Sequence, residues 1–83
     1  MDRTTILLRS LGETITERRL AADMSQQELA DLAGVHRSYM SDIERGLRNI
    51  TLGSLEKIAV ALKTTSADLL TSARDRSRNA RQR

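Results

Sequence analysis

The sequence predicts an all-α fold of five short helices, and three observations lead to that prediction. Apolar residues recur at steps of three and four along most of the 83 residues, which is the period of one helical face. Two segments carry capping patterns that open helices, and glycines stand where two helices should end. A chain of this length has room for one compact core, so no second domain is expected.

The amino-acid composition excludes several kinds of protein. The chain has no Cys, Trp, Phe or Pro and a single histidine, His36, which rules out disulfides and a structural zinc site. No apolar run approaches the roughly 20 residues of a membrane span, and Arg9 comes too early for a secretory leader. We therefore expect a cytoplasmic protein with no metal, cofactor, small-molecule ligand or membrane contact.

The net charge of +3 is unevenly distributed along the chain. Residues 74–83 hold five arginines and one aspartate, whereas residues 1–73 hold nine basic and ten acidic side chains. We expect residues 1–73 to form the domain and residues 74–83 to be an Arg-rich, disordered tail, because that end has little apolar surface to offset the entropy lost on ordering. The tail is either a solvated end or a sequence-independent DNA clamp. A nucleic-acid site in the domain itself must be a local patch.

Helix 1 is predicted between Leu8 and Ala22, where Leu11 and Ile15 keep the spacing of one helical face. Arg19 falls inside this apolar stripe. An unpaired guanidinium there would cost several kcal/mol, so we expect Arg19 to pair with a carboxylate from another element.

Helices 2 and 3 follow with a short turn between them. Helix 2 begins at the capping box Ser25-Gln26-Gln27-Glu28 and ends at Gly34, a residue that tolerates the left-handed conformation of many helix ends. Helix 3 is predicted from about His36 to Arg45, and its apolar side consists of Met40, Ile43 and, after the helix, Leu47. Two helices joined by a short turn with glycine have the spacing of a helix-turn-helix.

The other side of helix 3 is polar. It consists of Ser38, Ser41, Asp42 and Arg45, with Arg37 and Tyr39 beside it. In a helix-turn-helix the first turn of the second helix enters the major groove, and Arg37, Ser38 and Tyr39 fall in that turn. The pattern therefore indicates a surface that reads DNA, although Tyr39 also suits the rim of the core.

Helices 4 and 5 complete the domain. Thr51 can cap a fourth helix that contains Leu55 and Ile58 on its apolar side. A second capping box, Thr65-Ser66-Ala67-Asp68, opens a last helix that contains Leu69 and Leu70.

The motifs in residues 12–70 resemble those of the Cro and phage-repressor type helix-turn-helix domains. The matching runs are Ser25-Gln26-Gln27-Glu28-Leu29-Ala30, Gly34-Val35-His36-Arg37-Ser38-Tyr39-Met40-Ser41-Asp42-Ile43-Glu44-Arg45-Gly46 and Ser54-Leu55-Glu56-Lys57-Ile58-Ala59. Among these domains, Arg37-Ser38-Tyr39 and the run from Ile43 to Asn49 most resemble the controller proteins of restriction-modification systems.

The resemblance implies a compact five-helix, lambda-repressor-like domain that binds double-stranded DNA as a homodimer. It implies an Arg19 to Glu44 ion pair and a dimer interface on helix 5 with Leu69 and Leu70. Its implied DNA contacts are base edges for Arg37, Ser38, Ser41 and Asp42, backbone or flanking bases for Tyr39, Arg48 and Asn49, and phosphates for Gln26 and Gln27. Arg45, on the same face, belongs to this DNA-binding set, and Arg48 is alternatively a solvated loop charge.

Two other functions are weighed against DNA binding. The first is an antitoxin-like or coactivator-like protein-interaction module, since one fold serves many functions. Such a module should show aromatic or aliphatic anchors on helix 3 instead of Arg37, Ser38 and Ser41. The second is an enzyme, which the lack of a nucleophile with its base, of metal ligands and of a phosphate-binding glycine loop disfavours.

Overall fold

The computed structural model describes residues 1–81, with side chains described as far as Asn79. Within these residues the chain forms five α-helices and no strand, which confirms the all-α prediction. The helices are α1 (Arg3–Ala21), α2 (Gln26–Ala33), α3 (Arg37–Glu44), α4 (Leu52–Ala61) and α5 (Ser66–Arg81).

Side-chain caps open four of the helices. The capping box predicted at Ser25 is complete, because Ser25 Oγ accepts from Glu28 N and Glu28 Oε1 accepts from Ser25 N, both at 3.0 Å. Thr51 and Thr65 each accept from the backbone N three residues later, also at 3.0 Å. Helix α1 begins five residues before Leu8, since Asp2 accepts from Thr5 N at 2.8 Å and caps it there.

One apolar cluster forms the core, and every helix contributes to it. Helix α1 packs on α3 and α5, and α2 packs on α3 and α4. The buried members are Leu11, Ile15, Leu29, Ala30, Ala33, Met40, Ile43, Leu55, Ile58, Ala59, Leu69 and Ala73. Leu47 differs from the prediction: it is 63% exposed, and it follows Gly46, whose left-handed φ of +73° turns the chain after α3.

Helices α1 and α5 pack on each other, and both bury small or polar side chains. Ser10 and Thr14 on α1, and Ala73 and Ser77 on α5, are all buried. At the edge of this contact Arg76 Nη2 donates to Glu17 Oε2 at 2.9 Å.

Helix α5 extends past residue 73, where the sequence predicted the end of the domain. Helix α5 continues to Arg81, with Ser77 4% exposed, where the sequence predicted a disordered tail from residue 74. The prediction considered apolar residues alone, whereas this part of α5 also buries the small Ser77 side chain and carries the Arg76 to Glu17 contact. Residues 82–83 of the predicted tail lie outside the described residues.

Candidate nucleic-acid interface

A buried ion pair links α1 to the end of α3 and fixes the frame of the helix-turn-helix. Arg19 Nε donates to Glu44 Oε2 at 2.8 Å and Arg19 Nη2 donates to Glu44 Oε1 at 3.0 Å. Arg19 Nη1 also donates to the Met24 carbonyl at 2.9 Å, in the segment before α2. The structure thus brings together the two residues that the family resemblance implied, and their geometry is bidentate, the stronger form of this interaction.

The environment of Glu44 keeps it ionised. Burial raises the pKa of this carboxyl, but the hydrogen bonds from Arg19 and Gln26 lower it by more, so that the pKa lies below its ordinary value. Glu44, charged at neutral pH, can therefore hold Arg19 within the apolar stripe of α1 without leaving an unpaired guanidinium.

The turn between α2 and α3 follows the prediction. Gly34 has a φ of +70°, in the left-handed region, and ends α2. Val35 N donates to the Ala30 carbonyl at 3.0 Å, which closes the turn, and the Val35 side chain packs on the core. Because both ends of the turn are fixed in this way, the orientation of α3 is determined by the core.

The amino end of α3 is open to solvent. Arg37 and Ser38 are exposed in its first turn, and His36 occupies the N-cap position without a side-chain cap hydrogen bond. The opposite side of α3 packs on the core, where Met40 and Ile43 are buried. Arg37 and Ser38 can therefore approach a nucleic acid without any change in the fold.

The remaining polar residues of α3 and its following loop form a second region of the same surface. Ser41 and Asp42 are half-buried and Arg45 is exposed. Arg48 Nη2 donates to Asp42 Oδ2 at 3.3 Å, and Arg48 Cζ lies 5.1 Å from the centroid of the Tyr39 ring. Asn49 is exposed next to Arg48 in the loop.

Two of these contacts were not predicted from the sequence. Asp42 is predicted to face base edges. Its contact with Arg48 forms because the loop turns back after Gly46, and the order of charges in the sequence does not predict that turn. Tyr39 is half-buried against the core, which is one of its two predicted roles, and the Arg48 guanidinium lies over its ring.

Gln26 and Gln27, predicted to anchor phosphates, each have an intramolecular partner. Gln26 Nε2 donates to Glu44 Oε1 at 3.0 Å, and Gln27 Nε2 donates to Asp31 Oδ1 at 2.8 Å. A side-chain amide nitrogen carries two N–H groups, so each glutamine keeps one donor for a phosphate. The sequence did not predict that Gln26 joins the buried ion pair.

The predicted dimer residues have different positions. Leu69 has 0% exposure and belongs to the core of the single chain, so the prediction that it forms a dimer surface is corrected. A leucine that is already buried by its own chain cannot also pack against a second one. Leu70 is half-buried at the edge of the core and keeps apolar surface for a partner.

Residues 1–81 contain no group of three or more His, Cys, Asp or Glu side chains arranged to hold a metal ion. None of the helices described for this chain has the length and apolar character required to cross a membrane.

Comparisons with known proteins agree with this geometry. The helix-turn-helix family model matches residues 15–70. The control protein C.BamHI of Bacillus amyloliquefaciens is 47% identical over 60 residues, which are 71% of this chain and 74% of that protein.

Solved structures of restriction-modification controller proteins have the same fold. The structure of C.AhdI from Aeromonas hydrophila has a TM-score of 0.73 at 40% identity. The matched region is 75% of this chain and 94% of the C.AhdI chain. The C.Esp1396I tetramer was solved in complex with its natural 35 base-pair operator. Its chain has a TM-score of 0.76 at 32% identity, and the matched region is 86% of this chain and 93% of the C.Esp1396I chain. The chain therefore belongs to the Cro and phage-repressor type helix-turn-helix family of DNA-binding transcription regulators, and it resembles the restriction-modification controller proteins within that family.

Proposed function

We propose that this protein binds a pseudo-palindromic operator as a homodimer, with α3 in the major groove, and thereby controls the genes of a restriction-modification system. The observation that carries the proposal is the open amino end of α3, where Arg37 and Ser38 are exposed on a helix whose other side is buried. The similarity to C.BamHI and C.AhdI supports the assignment to restriction-modification control.

Arg37 is the main base-reading residue in this proposal. Its planar guanidinium can donate to guanine O6 and N7 together, which is worth about 1–3 kcal/mol of discrimination against another base. Ser38 and Ser41 are short donors and acceptors that serve either a base or a phosphate. These three side chains read one half-site.

Phosphate contacts come from residues around α3. Gln26 and Gln27 stand at the amino end of α2, where the helix dipole favours an anion, and their second N–H groups are directed by the bonds to Glu44 and Asp31. Arg45, Arg48 and Asn49 lie at the opposite end of α3. Contacts of this kind fix the register of the protein on the duplex but do not read sequence.

A homodimer follows from the length of the recognition helix. An eight-residue helix is about 12 Å long and covers only a few base pairs, whereas two copies can read half-sites about 34 Å apart. Occupancy of such an operator rises steeply as the protomers accumulate, so the monomer-dimer balance regulates the protein.

Protein interaction and catalysis are less well supported. The exposed side of α3 carries guanidinium and hydroxyl groups where a protein partner would need apolar anchors. Proteins of this family are transcription regulators, and we propose that this chain acts by binding alone.

Selection of bound duplexes from a random pool tests the proposal. We expect a two-fold related sequence whose half-sites are one helical turn apart, and sedimentation equilibrium at micromolar concentration should show dimers. A pool with no enriched sequence at physiological salt, or a protein that stays monomeric with and without the selected duplex, would refute it.

A further inference from the structure

Tyr39, Asp42 and Arg48 form a cluster that joins α3 to the loop after it. Tyr39 and Asp42 lie about one turn apart on α3, and the Arg48 guanidinium contacts both of them from the loop. Leu47 N donates to the Asp42 carbonyl at 2.9 Å, which ties the loop to the same turn of the helix. The loop arginine is thus folded back against the recognition helix.

The Asp42 to Arg48 pair is accessible and weakly held. The side chain of Arg48 is 50% exposed and that of Asp42 is 36% exposed, and their single contact is 3.3 Å long. Exposed pairs of this kind contribute little to stability. A guanidinium has five N–H donors, of which this contact uses one. Arg48 can therefore exchange Asp42 for another anion at small cost.

Asp42 has opposing effects on a DNA interface. A carboxylate repels phosphates, but it accepts a hydrogen bond from the amino group of cytosine. While Asp42 holds Arg48 their charges offset each other, and Arg48 releases no counterion from the DNA. Whether Arg48 reaches a phosphate then depends on whether Asp42 finds another donor.

On the basis of the operator binding proposed above, we propose that Asp42 determines specificity by controlling Arg48. On DNA that offers Asp42 no donor, Asp42 keeps Arg48 and the complex has one phosphate contact fewer per protomer. On an operator that presents a cytosine amino group, Asp42 accepts that donor and Arg48 moves to a phosphate. Asp42 thereby weakens non-specific binding more than operator binding.

The Asp42→Asn variant tests this inference, because asparagine keeps the size of the side chain and loses the charge. On a duplex without the operator, we expect the slope of log affinity against log salt to steepen by about 0.9 per protomer, and affinity to rise about five-fold per protomer near 0.15 M salt. On the operator the slope should stay the same, so the ratio of specific to non-specific affinity falls.

Arg48→Ala gives an independent readout. It should leave the slope on non-specific DNA unchanged and make the slope on the operator shallower by about 0.9 per protomer. In the Arg48→Ala background, Asp42→Asn should no longer steepen the non-specific slope. An arginine that contacts phosphates on every duplex would instead make both slopes shallower, which would overturn the inference.

Glu13→Gln is the matched control, since Glu13 is exposed on α1, outside every segment considered for DNA contact, and its loss changes the net charge equally. An equal rise in non-specific affinity with this variant would show a general charge effect and refute the role of Asp42. A wild-type protein that prefers an operator, with an unchanged specificity ratio in Asp42→Asn, refutes this inference alone. A wild-type protein without any preference refutes the proposed function and this inference with it.

Discussion

Gly12 of α1 lies directly against the carbonyl oxygen of Glu44 at the end of α3. A Cβ at position 12 would be 2.5 Å from that oxygen and 2.5 Å from the carbonyl oxygen of Ile43. Both neighbours are backbone atoms, which cannot move aside as a flexible side chain can. The distance between α1 and the recognition helix therefore depends on a residue without a side chain.

We expect Gly12→Ala to destabilise the protein by about 1–3 kcal/mol, because the added methyl group pushes α1 away from α3. Helix propensity alone would favour alanine by about 1 kcal/mol, so the sign of the change separates the two effects. Gly53→Ala on α4 is the control, since its nearest neighbour would be 3.9 Å away, and it should stabilise the protein. Urea denaturation of both variants measures this, and a stabilising Gly12→Ala would contradict the close contact.

The Arg19 to Glu44 pair should make stability depend on pH in the acid range. Since the pKa of Glu44 is lowered in the folded protein, its contribution to the free energy of unfolding is complete above the ordinary value of 4.5 and is lost as pH falls through the folded pKa. We expect Glu44→Gln to cost about 3 kcal/mol at neutral pH and to flatten this acid dependence. Denaturation at a series of pH values measures both effects.

Glu13→Gln serves as the control for Glu44→Gln, because Glu13 is exposed on the same helix as Arg19. It should leave the stability at neutral pH nearly unchanged. Equal effects of the two variants would show that the buried ion pair contributes no more to the free energy of unfolding than an exposed carboxylate does.

Arg37→Ala should relax the preference for one base pair in each half-site by about 1–3 kcal/mol. Thermal stability should be unchanged, because Arg37 is exposed. Arg78→Ala, an exposed arginine of α5, removes the same charge and should leave the base preference intact. Binding to a set of operators with single substitutions measures the difference. A uniform loss on all duplexes would make Arg37 a phosphate contact.

Removal of residues 74–83 should lower the free energy of unfolding by about 1–2 kcal/mol, since the end of α5 covers part of α1 through Ser77 and Arg76. Removal of residues 82–83 alone is the control. Unchanged stability in the longer truncation would show that this end of α5 makes no useful contact. The salt dependence of DNA binding by the same variant distinguishes a DNA clamp, whose loss makes the slope shallower, from a solvated end.

Leu69→Ala and Leu70→Ala should separate folding from dimerisation. Leu69 lies in the core, so its truncation should cost about 2–5 kcal/mol of stability. Leu70→Ala should weaken the dimer with a smaller effect on the unfolding of the single chain. Denaturation and sedimentation equilibrium at matched protein concentrations measure the two effects. A Leu70→Ala dimer as strong as that of the wild type would place the interface elsewhere.

Local sequence signals predicted most of the fold. The capping box at Ser25, the left-handed turn at Gly34 and the period of the apolar residues each depend on neighbours within one or two turns of helix, and the structure reproduces them. Arg19 was also informative, because a charge in an apolar stripe requires a partner, although only the family resemblance named Glu44.

Contacts between distant segments could not be predicted in this way. Gly12 has the ordinary spacing of a helix residue, and only its low helix propensity signals a close packing contact. From the sequence, Ser77 is expected to be solvated because it lies in an Arg-rich run, whereas in the folded chain it is buried. Arg48 meets Asp42 because the loop turns back after α3, which no period in the sequence encodes.

Gln26, which we propose to anchor a phosphate, donates a hydrogen bond to the buried Glu44, whereas Arg37 and Ser38 are exposed in the first turn of α3. New operator preferences can therefore arise by exchanging the exposed residues of α3 one at a time without loss of folding. Substitution of Gln26 would instead remove a hydrogen bond from the buried Arg19 to Glu44 pair. Relatives that diverge in the DNA they recognise should accordingly vary at the first turn of this helix and keep the amide.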